Sequence, residues 1–287
     1  MGWTTDLDDH DARLRRVLWD LQGILPEVVL IGGWVPHLYR KHGGFPEWSS
    51  VLSLTEELDV LVEPLAREPE TVDVASVLKQ AGFEPIDEGQ SVWEDKSAEP
   101  RRIEFMTPHA GTALGTNNVV PVRGRGLGAL SLEGLGVLGV FTRGIEVLVG
   151  SFEGSARTVS VRVPTLGAFV VGKAVVFPRR PPDPPGGGHP KAAKDVLYMR
   201  DIVAAGGEVV AQVEADLTRI ASTEWEAQLN TARNNTYLLF EGANSKYLDE
   251  AAGMLAERET KEPAAARADL EGHVTDLLEL FDEARQS

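Results

Sequence analysis

Residues 28–33, "VVLIGG", run four apolar side chains straight into a pair of glycines. A run so short and so apolar is read as a strand covered on both faces. Beyond the glycines, residues 34–41 carry helical spacing, with Pro36 in the first turn, where its missing N–H costs nothing. A buried strand handing over to a helix through two glycines belongs to a sheet layered with helices.

The flanking segments extend that pattern. Leu14, Val17, Leu18, Leu21 and Ile24 predict a helix over 10–24. "ELDVLVE" reads as a strand cut by Pro64, residues 69–81 as a helix ending at Gly82, and "RRIEFM" as a strand closed by Thr107 and Pro108. From 111 to 150 glycines recur and no period is sustained. "TVSVRVP" restores a strand, and a helix follows over 164–177. Residues 178–190, "PRRPPDPPGGGHP", read as an exposed mobile loop. Apolar stripes then predict helices near 190–205, 208–221, 223–237, 245–258 and 263–284. The expected organisation is an α/β or α+β sheet domain over 1–163 and a helical bundle over 164–287.

Glycines between a strand and a helix let backbone N–H groups approach a phosphate, with the positive end of the helix aimed at it. Gly32 and Gly33 stand there. In "TEELDVLV", Glu57 and Asp59 are two apart, so on a strand both project from one face. Two acids on a buried face repel each other and lose hydration unless a cation neutralises them. Glu104 in "RRIEFM" lies on the face opposite Ile103 and Phe105. If that strand neighbours the first, three carboxylates converge beside the glycine turn, an arrangement suited to Mg²⁺ and phosphoryl-group transfer. The plainer alternative leaves Glu104 pointing at water.

Composition narrows the partners. No cysteine is present, which excludes disulfides, thiolate metal sites and a cysteine nucleophile and suggests a reducing compartment. The acidic start "MGWTTDLDDHDARLRR" is unlike a secretion signal, and the most apolar stretch is Gly-rich and holds Glu133, so a cytoplasmic protein without a membrane span is expected. The net charge of −16 disfavours a broad nucleic-acid surface. Residues 202–287 alone hold seven Lys/Arg against seventeen Asp/Glu. Against this background, Arg179, Arg180, Lys191 and Lys194 form a local basic cluster able to hold one polyanion or, equally, to decorate a solvated loop. Lys173 sits among apolar residues in "LGAFVVGKAVVF", so its ammonium must reach water or meet an anion. The histidines, among them His37, His42, His109 and His189, show no metal-ligand spacing and receive no role. Trp19, Trp34 and Trp93 read as core or pocket wall.

The glycine turn after a strand, the "ELDV" acids and a later strand acid together resemble the nucleotidyltransferase superfamily related to DNA polymerase β. Within it, the chain is most similar to the AbiEii-type toxin nucleotidyltransferases. The resemblance covers about residues 26–205. It implies an α+β fold, with a mixed-sheet catalytic domain followed by helices, and transfer of NMP from an NTP to an acceptor hydroxyl. By this resemblance Glu57, Asp59 and Glu104 would hold two Mg²⁺ ions, with Glu104 also activating the acceptor. Gly32, Gly33, Lys173, Arg179, Arg180 and Lys194 would hold the triphosphate. Asp195, in "KAAKDVLYMRDIV", would match a further family acid. The implied acceptor is a tRNA or a protein, with a cognate antitoxin as partner.

Departures from the family pattern keep other readings open. Glu57 and Glu104 stand where aspartates are usual, and the stretch from Gly33 to Glu57 is longer than the pattern allows. A small-molecule acceptor, as in antibiotic nucleotidyltransferases acting on aminoglycosides, suits the acidic C-terminal half. A catalytically degraded nucleotide-binding or protein-binding module is the non-enzymatic alternative.

Overall fold

The computed structural model describes residues 7–45, 47–48, 57–62, 73–96, 101–109, 119–122, 126–150, 156–180, 190–240 and 245–286. Two compact units emerge: one made of the described residues within 4–43 and 54–164, the other of those within 44–53 and 165–287. The architecture is α+β, a mixed sheet with helices in the first unit and helices throughout most of the second.

In the first unit, helix α1 (Leu7–Asp20) precedes strand β1 (Val28–Ile31), helix α2 (Trp34–His42) and strand β2 (Glu57–Val62). Helix α3 (Val74–Gln80) leads to β3 (Phe83–Pro85), β4 (Val92–Asp95) and β5 (Arg102–Pro108). These strands lie in the order β1-β2-β5-β4-β3, with β2 and β5 parallel and the other pairs antiparallel. The stretch without a sequence period supplies β6 (Val119–Val122), β7 (Leu127–Leu132) and the short helix α4 (Gly136–Val140). β5 continues through Thr107 and Pro108 rather than stopping before them, because β7 pairs with its far half at Met106, Thr107 and Pro108. A separate hairpin, β8 (Thr142–Gly150) with β9 (Ala156–Pro164), buries Ile145, Val147, Val149, Val161 and Val163 on one face.

The second unit holds α5 (Leu166–Val176), α6 (Lys191–Val203), α7 (Gly207–Ala221), α8 (Glu226–Tyr237), α9 (Ser245–Glu259) and α10 (Pro263–Ala284). Thr165 caps α5, its side chain accepting from the Ala168 amide. α5 is apolar on every side, and α6, α7 and α8 all pack on it, as expected of a helix with no face for water. The Pro/Gly-rich segment lies mostly outside the described residues. Among the described residues no helix is long and apolar enough to cross a membrane.

Two histidines that showed no spacing pattern meet on one carboxylate. His37, itself buried, and His42 lie on α2 with Nε2 atoms 3.2 and 2.8 Å from Asp11 Oδ1 on α1, while Arg15 reaches Oδ2 at 2.9 Å. Burial alone would raise the Asp11 carboxyl. Hydrogen bonds from His37 and His42, with the charges of His42 and Arg15, outweigh that and hold it far below the ordinary carboxylate range. The group ties α2, the helix that opens at the glycine turn, to α1.

Asp11→Asn is expected to lower the unfolding free energy by about 1.5–3 kcal/mol at pH 7. Because the folded-state carboxyl titrates below its unfolded value, this stabilisation is complete above about pH 4 and is lost as the pH falls further. Urea midpoints of wild type and variant should therefore differ at pH 7, and the difference should begin to shrink below about pH 4 yet persist in part at about pH 3, where the folded-state carboxyl is still ionised.

Candidate active site

The parallel register of β2 with β5 builds the site. Glu57 stands opposite Arg102, Asp59 opposite Glu104, and on the other side of β2 Ile31 stands opposite Asp59. The first halves of β2 and β5 alternate in the same way. Leu58, Ile103 and Phe105 are buried on one face, while Glu57, Asp59, Arg102 and Glu104 share the other. Glu57, Asp59 and Glu104 each present one oxygen such that the three lie within 4.8 Å of one another.

That face is half-buried, not the buried one the sequence suggested: the Glu57 side chain is 31% exposed. Solvent reaches it, as entry of an ion and a substrate requires. Like charges set directly opposite on neighbouring strands are destabilising, and Asp59 with Glu104 is such a pair. Three hard oxygen donors, without nitrogen or sulfur, suit Mg²⁺ or Mn²⁺ far better than a soft metal. The donor set therefore fits the ions implied by the resemblance.

The glycine turn abuts these acids. Gly32 has φ +73°, in the left-handed region, and a Cβ placed on it would lie 2.0 Å from Asp59 Oδ2. Both the backbone and the neighbouring carboxylate therefore demand glycine. Gly33, at φ −67° and ψ −14°, caps α2 in a conformation open to any residue. The two glycines thus differ in what they require, although the sequence assigned them one role. Trp34, the first residue of α2 and buried as expected, donates from Nε1 to the main-chain carbonyl of Glu57 at 3.0 Å. Sequence reasoning missed this link, and it also missed Arg102, whose Nη1 lies 3.4 Å from Glu57 Oε1. The signal for Arg102 was available: two residues before Glu104 on a strand, it shares that acid's face.

The remaining sequence-predicted residues belong to the helical unit. Lys173 of α5 and Asp195 of α6 meet, Nζ to Oδ1, at 2.6 Å. Arg180 grips the same carboxylate, Nε to Oδ2 at 2.8 Å and Nη2 to Oδ1 at 3.3 Å. The Lys173 ammonium also lies 4.7 Å from the centre of the Tyr198 ring. The anion that this lysine was expected to need is here a carboxylate of its own chain. Asp195 is buried, which alone would raise its carboxyl, but the charges of Arg180 and Lys173 hold it below the ordinary range. Arg179 is exposed and Lys194 half-buried.

A family model described as nucleotidyltransferase matches residues 10–222, and the chain belongs to that family. Membership puts it among transferases that move nucleoside monophosphates. No curated protein matches the chain, and no solved structure does. The matched span contains the glycine turn and all three clustered acids.

Gly32→Ala should displace Asp59 and force a left-handed alanine, which costs about 1–2 kcal/mol from the backbone alone. The thermal midpoint should fall by several degrees, and binding of Mn²⁺ should weaken. Gly33→Ser, at an ordinary φ, should escape that backbone cost.

Proposed function

We propose that the protein is a Mg²⁺-dependent nucleotidyltransferase whose site is the acid cluster on β2 and β5 beside the Gly32 turn. The observation that carries this reading is the convergence of Glu57, Asp59 and Glu104 oxygens within 4.8 Å of one another in a chain of this family. Glu57, Asp59 and Glu104 would hold the divalent ions, two of them by the family pattern. Such ions neutralise the carboxylates and stabilise the attacking and leaving oxygens of an in-line displacement. Gly32 and Gly33 form the opening of α2, where backbone N–H groups and the positive helix end would suit the triphosphate. Gly32 has no side chain that could intrude on the carboxylates.

In the reaction, the acceptor oxygen bonds to the α-phosphorus of the NTP and the bond from that phosphorus to the leaving oxygen breaks. NMP is transferred and pyrophosphate departs. Glu104 takes the acceptor's hydroxyl proton, general-base work that contributes about 10²–10⁴-fold where it operates. In the helical unit Asp195 keeps Lys173 and Arg180 in place, and by the family resemblance alone Lys173, Arg179, Arg180 and Lys194 would contact nucleotide phosphate. The family resemblance supports these helical roles, as it does an AbiEii-type toxin acting on a tRNA or protein hydroxyl in the cytoplasm and restrained by a cognate antitoxin.

Incubation with each labelled NTP, Mg²⁺ and candidate tRNA, protein and aminoglycoside acceptors should give transfer with one acceptor class. Asp59→Ala should reduce it to background, and Glu104→Gln should reduce kcat by about 10²–10⁴-fold. Pyrophosphate release unchanged in Asp59→Ala would show that the site lies elsewhere. Nucleotide binding that is indifferent to Mg²⁺, without transfer, would favour the non-catalytic module.

A further inference from the structure

We propose that Arg102 is a positioning residue that fixes the Glu57 carboxylate for metal binding; the inference rests on the reading of the acid cluster given above. A glutamate at the first metal position has one more rotatable bond than an aspartate. Its carboxylate reaches further and sweeps a larger volume, so it makes a poorer ligand for an ion that demands near-octahedral placement unless something holds it. Asp59 needs no such help, since its carboxylate packs against Gly32 so closely that a Cβ there would lie 2.0 Å from Oδ2.

Glu57 is held at both ends. Its main-chain carbonyl accepts from Trp34 Nε1 at 3.0 Å, and its carboxylate Oε1 lies 3.4 Å from Arg102 Nη1, directly across the parallel β2–β5 pair. Arg102 Nε is buried and has no hydrogen-bond acceptor among the described residues, so that part of the side chain is seated in the protein while the tip meets Glu57. Arg102 also borders a cavity of about 20 Å³, shared with Arg13, Leu14, Val17, Trp34, Leu58 and Arg101, with room for about one water. On its other side Arg102 faces Glu94 of β4, its antiparallel register partner. The guanidinium therefore stands between two acidic positions, with its contact made to the one in the cluster. A carboxylate has two oxygens, so one can face a guanidinium while the other faces a cation.

The sign of the effect decides between this role and simple charge compensation. By Coulomb's law alone, a cation a few ångströms from a divalent ion repels it, so removing Arg102 would tighten metal binding. A group that orients a ligand does the reverse, and its loss lowers metal affinity by about 10–100-fold.

The test is Mn²⁺ titration of the full chain, followed by electron paramagnetic resonance of free Mn²⁺, with far-UV circular dichroism and the thermal midpoint as controls for folding. Arg102→Met is expected to bind Mn²⁺ about 10–100-fold more weakly than wild type, and Arg102→Lys to recover part of the loss. Arg102→Gln serves in place of the methionine variant if that one does not fold. In a Glu57→Asp background, where the shorter carboxylate retreats from the guanidinium, Arg102→Met should lose its effect. Unchanged or tighter binding in Arg102→Met would overturn the proposal, and so would an undiminished loss in the Glu57→Asp background. Absence of Mn²⁺ binding in wild type would instead overturn the metal reading, and this proposal with it.

Discussion

Asp59 and Glu104 face each other across a parallel strand pair, and two carboxylates so placed repel unless positive charge comes between them. Everything else about the site follows from that pairing. Because side chains alternate along a strand, a one-residue slip of β2 against β5 would send one strand's acids to the opposite face. Parallel neighbours also cannot be joined by a tight turn. The chain between β2 and β5 runs through α3, β3 and β4, and the last of these pairs with the N-terminal half of β5. The acid cluster is therefore a product of the sheet as a whole rather than of one local motif.

Two of the three acids, Asp59 and Glu57, are constrained from different directions. The glycine turn presses on Asp59, the tryptophan that opens α2 holds the main chain at Glu57, and Arg102 meets the Glu57 carboxylate. α2 itself is tied to α1 through two histidines on Asp11. The helical unit solves a comparable problem in another way. There a helix apolar on every side carries a single lysine, and a buried aspartate on the next helix receives it together with an arginine. In each unit a buried aspartate, Asp11 or Asp195, meets basic side chains from a neighbouring element.

Much of this was legible in the sequence, and the reasons differ from residue to residue. Period-two alternation placed Glu57 and Asp59 on one face and Glu104 opposite Ile103 and Phe105. Long stripes with a 3.6 period marked α6 to α10 to within a few residues. Register was not legible, because it depends on residues far apart in the chain, and so nothing in the sequence set Arg102 against Glu57. Residues 119–132 gave no period because β6 and β7 are short, are interrupted by Pro121 and Gly128, and take their place from pairing with β5 and each other. The Asp11 cluster draws on two helices at unrelated spacings, which no single-segment pattern detects. Lys173 announced its need for an anion, but helix packing decided that Asp195 would be the one to meet it. The difference between Gly32 and Gly33 lies in φ, which the letters do not carry.

The central claim is that three carboxylates from two adjacent strands form one divalent-cation site. The most direct measurement is anomalous diffraction from crystals soaked with Mn²⁺ and a non-hydrolysable NTP. A manganese peak within bonding distance of Glu57, Asp59 and Glu104, with the triphosphate beside Gly32, is the result expected. Manganese bound elsewhere with these acids bare, or a nucleotide seated away from the glycine turn, would contradict it.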